Sequence, residues 1–417
     1  MTMKSLLLGA AAGLVTVGAA QAADLPMTKA EAVEYVKVCT EFGAGFFYIP
    51  GSDTCLKIGG DIRANYHSGY PTISNPTRAN DALVFDGRGQ IAFDARTATE
   101  YGTLRSFFAI DGNFGNGSSG GITGSGFQVD KAYIQLGGLT AGYAHSFFGF
   151  YDNDYGNDIF QPYYAFPQTR ALIAYTAAFG GGFTATLSAE DGKSSRNVMW
   201  DDNAIIQATA LTSVYGGLTA PDGVARLRLD QSWGQAAISA AVHQVRLPGF
   251  LTITGTGGAS AGGSQYDTKY GFAVAGSLGV NLPIAAGGHF AVEGTYAKGA
   301  TSYLGVASSD VSFTRTNAKL ASGWAVTGEF GVNVTPAFTV NLLAGYVNYK
   351  GADALGNGLT TTGDDSYTRY TVGGNVWYVL TKGFKVGAEV YYDNTNYKHV
   401  AADSDGWGGG VSIRREF

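Results

Sequence analysis

From Leu56 to Tyr66 the chain alternates with a period of two. Ile58, Gly60, Ile62, Ala64 and Tyr66 fall on one side of an extended strand, and Lys57, Gly59, Asp61, Arg63 and Asn65 on the other. Successive side chains of a strand point to opposite faces, so one face here suits hydrocarbon and the other suits water. The next run repeats this: Leu83, Phe85, Gly87, Gly89, Ile91, Phe93 and Ala95 alternate with Val84, Asp86, Arg88, Gln90, Ala92, Asp94 and Arg96. A soluble sandwich turns its apolar face inward and rarely stacks so many charges opposite it. The pattern predicts a membrane barrel, apolar outside and wet inside.

Continued along the chain, the pattern predicts strands at 55–66, 81–96, 100–111, 127–136, 139–146, 170–179, 183–190 and 224–232. A second set lies at 235–245, 269–280, 289–297, 323–334, 338–349, 367–380, 384–393 and 407–417. That makes sixteen, and an even number lets a barrel close without an edge and with both ends on one side of the membrane. Short turns are expected at Thr97–Thr99, Gly137–Gly138, Gly180–Gly182, Trp233–Gly234, Thr335–Ala337 and Thr381–Gly383, with a longer one at Asn281–Gly288. Between them lie long polar connections at 67–80, 112–126, 147–169, 191–223, 246–268, 298–322, 350–366 and 394–406. Strict alternation of short turns and long loops is the plan of bacterial outer-membrane barrels. The expected fold is therefore all-β: a sixteen-stranded antiparallel transmembrane β-barrel over 55–417.

Two local features fit that plan. Trp377–Tyr378, Tyr391–Tyr392 and Trp407 sit at strand ends, where interfacial aromatic girdles are expected. Tyr270–Val292 contains no Asp, Glu, Lys or Arg and is long enough to span as a helix, but Gly271, Gly276, Gly279, Asn281, Pro283, Gly287 and Gly288 interrupt it. It reads as two strands and a turn.

Composition narrows the class further. The chain has 62 Gly, 25 Tyr and 24 Phe against 10 Pro and 14% charged residues, which suits strands and turns rather than helical bundles. A net charge of -6 argues against a nucleic-acid partner, since neutralising phosphates needs a basic surface. Residues 1–22 read as a secretory signal: Lys4 begins it, Leu6–Ala20 is its apolar run, and Ala20-Gln21-Ala22 is its cleavage pattern. Residues 23–54 are then an N-terminal periplasmic segment and cysteine loop. Cys39 and Cys55, the two cysteines of an exported chain, are expected to form a disulfide.

The run CTEFGAGFFYIPGSDTCLKIGGDIRANY closely resembles the N-terminal signature of the alphaproteobacterial, Rhizobiales-type porins, in which a cysteine-bounded loop ending in Phe-Tyr-Ile-Pro-Gly leads into Cys-Leu-Lys-Ile-Gly-Gly. The last strand ends Val411, Ile413, Arg415, Phe417, and a terminal Phe resembles the signal by which outer-membrane barrels are recognised for assembly. The resemblance implies a homotrimer of sixteen-stranded barrels in the outer membrane of a Gram-negative bacterium. Its partners would be membrane lipid and the small hydrophilic solutes and ions it passes, with no cofactor and no metal.

Passive permeation needs no bond-making residue, only a narrow constriction with charges that bias ions by sign. In porins the third external loop folds back into the lumen, and here that loop is 147–169. Asp152, Asp154 and Asp158 make it the candidate acidic half of the constriction, opposite Arg63, Arg88 and Arg105 on the first three strands, with Arg226 and Arg228 as further candidates. Opposed charge rows would set up a transverse field. The competing reading leaves these acids on a solvated surface loop.

Other motifs lead nowhere firm. Gly117-Ser118-Ser119-Gly120-Gly121 satisfies G-x-S-x-G but lacks a strand-to-helix elbow. Asp152-Asn153-Asp154 opens like a calcium loop, yet Gly156 and Tyr163 occupy the fifth and twelfth positions. His67, His145, His243, His289 and His399 are scattered without zinc-ligand spacing. A barrel hydrolase would need a Ser with a His in reach, and His145–Ser146, the one adjacent pair, point to opposite faces. The favoured function is a general porin. A substrate-specific channel, for a sugar for instance, stays open, because YDNDYGNDIFQPYY and VYYDNTNY offer aromatic surfaces.

Overall fold

The computed structural model describes residues 37–68, 83–115, 126–150, 155–160, 163–166, 168–197, 199–201, 216–246, 251–254, 258–261, 268–284, 286–313, 318–352, 366–398 and 403–417. The expected signal at 1–22, residues 23–36, the 117–121 run, Asp152, Asp154 and His399 lie outside them.

Among the described residues, sixteen long strands form one closed antiparallel sheet. They are β1 (Cys55–Ser68), β2 (Leu83–Thr99), β3 (Gly102–Gly115), β4 (Gly126–Leu136), β5 (Leu139–His145), β6 (Thr169–Gly180), β7 (Phe183–Glu190) and β8 (Asp222–Gln231). The second half is β9 (Gly234–Val245), β10 (Lys269–Asn281), β11 (His289–Lys298), β12 (Ser322–Thr335), β13 (Phe338–Lys350), β14 (Tyr367–Thr381), β15 (Phe384–Tyr397) and β16 (Ser404–Glu416). Each strand pairs with its sequence neighbours, and the ring closes where β1 meets β16, from Asp61↔Glu416 to His67↔Gly410. All sixteen fall where the two-residue period predicts them. Tyr270–Val292 is a strand, a turn and the start of a strand.

The alternation of burial runs opposite to that of a soluble protein. Ile62 is 54% exposed while its neighbour Asp61 is 6% exposed. Ile91, Phe272, Val274, Ile238 and Val411 are likewise exposed, and Asp94, Asp111, Glu293, Glu329 and Glu389 are buried. The outer surface is an apolar band, and the carboxylates line the lumen.

The seam shows how the chain's two ends protect a strand edge. β16 reaches only as far as Asp61, so the first residues of β1 would be left unpaired on that side. Phe47↔Leu56 and Tyr48↔Cys55 cover part of the gap. Phe417 N donates to Gly60 O at 3.1 Å and Gly60 N to Phe417 O at 3.2 Å. The Cys39–Cys55 disulfide, with a Cα–Cα distance of 6.0 Å, ties the covering segment to the first residue of β1. Unpaired edges invite association with other chains, so this cover has a purpose beyond closure.

Sequence and structure differ at the rims. The expected Thr97–Thr99 turn is strand: β2 continues to Thr99, and the turn is Glu100–Tyr101. Arg96 and Arg105 are cross-strand neighbours sharing Asp94, which prolongs the ladder, and the Thr99 hydroxyl caps the turn by donating to Gly102 O at 2.6 Å. The long connections also carry structure of their own. Leu251–Thr254 pairs with Gly258–Ala261, while Val311–Phe313 pairs with Ala318–Leu320 and, in parallel, with Met199–Asp201.

A buried polar cluster joins those loops to the wall. Arg170 lies 3.6 Å from Glu190 and 3.5 Å from Asp222, and Tyr303 donates to Asp222 at 2.8 Å. His243 Nδ1 is 2.8 Å from Asp222, and Asp310 accepts from Asn197 N at 2.8 Å and Thr301 N at 2.7 Å. Buried charges persist only when paired like this. The Arg170 guanidinium also stacks on Phe166, 4.6 Å from the ring centre, which fixes the returning end of the 147–169 loop.

Gly60 is closely confined between β2 and the Phe417 end of the seam. A Cβ there would come within 2.1 Å of Gln90 O and 3.0 Å of the Phe417 ring, whereas one at Gly89 would meet nothing within 4 Å. Gly60→Ala should therefore destabilise the closed barrel by about 1–3 kcal/mol, as overpacking does, while Gly89→Ala should be neutral. Urea titration of the two refolded variants checks this, and equal midpoints would contradict it.

Candidate functional site

The 147–169 loop leaves β5, and its described residues lie inside the barrel against inward-facing carboxylates of four strands. Along its length Phe147 N donates to Glu190 at 3.0 Å and Phe150 N to Glu293 at 3.2 Å. Gly156 N and Asn157 N both donate to Glu329, at 2.9 and 3.0 Å, and Ile159 N and Phe160 N to Glu389, at 2.7 and 3.0 Å. These acids sit on β7, β11, β12 and β15. Strand alternation turns each inward, among small and hydroxylated neighbours that leave room for a chain to lie against the wall. A hydrogen bond to a carboxylate contributes roughly 1.5–3 kcal/mol, so the anchors are substantial.

Further contacts complete the grip. Asn375 Nδ2 donates to Asn157 O at 2.7 Å, Thr327 Oγ1 to Tyr164 O at 2.8 Å, and the Phe160 ring stacks on His67 of β1 with centroids 4.9 Å apart. Burial holds the Tyr163 and Tyr164 phenols well above their ordinary pKa, so both stay protonated. The Tyr164 hydroxyl lies 2.7 Å from Thr371 Oγ1, and Arg369, paired with Asp393 at 2.9 Å, stands over the Tyr164 ring.

The candidate basic residues divide into three groups. Arg63 and Arg88 are directly opposed across β1 and β2, and Arg414 of β16 opposes Arg63 from the other side. Like charges opposite one another on a sheet destabilise it unless something intervenes. Here Asp61 bonds both Arg63 and Arg88, the latter at 3.0 Å, Asp111 takes Arg88 at 3.2 Å, and Arg414 packs 4.5 Å from the centre of the Trp377 ring. Asp158, the described one of the three loop acids, is within electrostatic reach of Arg414.

Arg105 is elsewhere. It shares Asp94 with Arg96 near the short-turn rim, eight residues from Arg88 along β2, or about 26 Å. Arg226 stands over Phe147 and reaches Gly149 O at 3.5 Å, at the root of the loop, and Arg228 is held by Asp230 at 2.7 Å.

Arg414 and the anchoring glutamates are the functional residues that sequence reasoning missed. Their inward parity is readable on strands such as FAVEGTYAK and GWAVTGEFG, where a single acid interrupts a small-residue face. Their partners are backbone groups 43 residues away for Glu190 and more than a hundred for Glu293, Glu329 and Glu389, for which no local pattern exists.

A closed barrel with an apolar exterior, a charged interior and a loop narrowing the bore defines a channel of the outer-membrane class. The chain belongs to the Porin subfamily, whose family model matches residues 24–409. It is 30% identical over 438 residues to porin Omp2b of Brucella neotomae and 30% identical over 435 residues to that of Brucella suis, each alignment covering 100% of both chains. Among solved structures, the outer membrane channel DcaP of Acinetobacter baumannii matches with a TM-score of 0.68 at 15% identity, covering 89% of this chain and 99% of that one. Salmonella typhi OmpF matches with a TM-score of 0.51 at 12% identity, covering 88% and 98%. The protein is a general porin of the Gram-negative outer membrane, a channel rather than an enzyme by family.

Glu329→Gln and Glu389→Gln each weaken two backbone anchors while keeping side-chain volume. Together they should loosen the loop and raise the frequency of brief closures in single-channel records. Traces as quiet as the parent's would contradict the anchoring role.

Proposed function

We propose that ions and small hydrophilic solutes pass through a charge filter formed by Asp158 on the loop and the Arg414–Arg63–Arg88 row on the wall. Asp152 and Asp154 add to the loop side. The direct register of the three arginines across β16, β1 and β2 supports this most strongly. Asp61 and Asp111, buried among them, return negative charge to the wall and moderate the transverse field. Arg105, Arg226 and Arg228 then shape the potential away from the narrowest point.

The exposed apolar band suits contact with outer-membrane lipid and, over part of its circumference, with two further copies in a homotrimer. Cross-linking in mild detergent tests the trimer. On this reading residues 1–22 are removed on export, 23–54 form the periplasmic lead-in and 55–417 the barrel, with Phe417 as assembly signal.

The Ser195–His243–Asp222 cluster does not favour a hydrolase reading. Ser195 Oγ and Asp222 both approach Nδ1 of His243, at 3.5 and 2.8 Å, whereas a nucleophilic triad needs serine and carboxylate on opposite ring nitrogens. All three residues are buried, so no substrate would reach them. The cluster serves as a brace for the loops.

The double variant Arg63→Gln/Arg414→Gln should shift the permeability ratio toward cations by up to about fivefold at low salt and less at high salt, and Asp158→Asn should shift it toward anions. Reversal potentials across a potassium chloride gradient measure both. Shifts in the same direction, or none, would remove the filter.

A further inference from the structure

Beneath the loop, on the short-turn side of the constriction, the lumen wall holds a niche of about 430 Å³ that the charge filter does not use. Its walls are the inward-facing side chains of Gln235, Asn281 and His289, at the ends of three consecutive strands, β9, β10 and β11. Parity fixes their direction, because Ile238 on β9, Leu278 on β10 and Phe290 on β11 lie on the opposite, exposed face. Its roof is Tyr155 and Asn157 of the loop.

The roof is held firmly. Asn157 is bonded to Glu329, and His289 Nε2 meets the same carboxylate at 2.7 Å. The Tyr155 ring lies 5.5 Å from the His289 ring, and its hydroxyl rests over Gly279, where a Cβ would come within 2.1 Å. Only glycine leaves space for that tyrosine.

The chemistry of the lining is specific. Among the described residues it holds three carboxamides and an aromatic ring but no Lys or Arg, and Glu329 at its border already faces His289. Asn157 Nδ2 is given to Glu329 and Asn281 Nδ2 to Ser232 O, which leaves their amide oxygens as acceptors. Gln235 Oε1 is buried without a hydrogen-bond partner in the protein, so turning its carboxamide toward a hydroxyl donor in the niche would relieve an unmet acceptor. Pockets of several hundred Å³ with a few convergent polar groups are typical of small-molecule sites. We infer that this niche is a saturable subsite for a neutral polyhydroxylated solute of simple-sugar size, occupied on the periplasmic side of the constriction. Carboxamides would exchange hydrogen bonds with its hydroxyls while its C–H face lies on Tyr155, and a charged solute would find no Lys or Arg and no unpaired carboxylate among the described lining residues. The inference rests on the channel reading above and gives that channel a preferred class of passenger.

Glucose is the probe, with gluconate as its charged counterpart, in planar bilayers holding the full-length mature protein. Glucose should reduce single-channel current and add excess current noise, both saturating with concentration, while gluconate at equal concentration should show no saturation. Gln235→Leu and Asn281→Leu, close to isosteric, should each raise the half-saturating glucose concentration about fivefold, the effect of one lost neutral hydrogen bond, with sugar-free conductance unchanged. Linear glucose effects in a conducting parent channel, or saturation that both variants retain unaltered, would overturn the niche alone. A parent barrel that passed no ions would overturn the channel reading together with it.

Discussion

Backbone hydrogen bonding is the constraint on which everything else in this molecule depends. A strand that crosses hydrocarbon has no water for its N–H and C=O groups, so each must be met by a neighbouring strand and the sheet must close. Closure costs little along most of the ring, where hairpins join consecutive strands. It is demanding at one place, where the two ends of a long chain must meet. There β16 falls short of the first residues of β1, and the disulfide-tethered Phe47–Tyr48 strand and the Phe417 main chain supply what is missing. The cysteine loop and the terminal phenylalanine, far apart in sequence, thus serve one seam.

Closure creates a second problem inside. Small inward residues on β9 to β13 leave space along the wall, and the carboxylates there would otherwise face water alone. The 147–169 loop answers both needs. Its backbone N–H groups, unpaired by any strand, find Glu190, Glu293, Glu329 and Glu389, and its aromatic side chains fill the width. These wall acids hold the loop by its backbone.

This changes how the lumen charges must be counted. By sign alone, the first strands present a basic wall. In three dimensions that wall is interleaved, with Asp61 between Arg63 and Arg88, Asp94 between Arg96 and Arg105, and Asp230 beside Arg228. Such pairing lets like charges stand opposite one another on adjacent strands. It also sets Arg414, Arg63 and Arg88 in one row across three strands, with Asp61 and Asp111 among them.

Sequence alone was enough for the barrel, because its determinants are local and repeat every two residues. The parity of Ile62 against Asp61 declares which face meets lipid, and that rule propagates through sixteen strands and their alternating turns. The cysteine-bounded signature likewise pointed to the family before any contact was known. Turn limits such as Thr97–Thr99 were off by two or three residues, since ladder length depends on cross-strand partners like Arg105. What tertiary structure decided is which wall residues share a level and what each one touches. Arg63 and Arg88 meet and Arg105 stays behind; Arg414, at the far end of the chain, joins them; Glu329 faces a loop 172 residues away. Strand register and ring closure set those distances. They arise from the whole sheet at once, so no stretch of the chain carries them by itself.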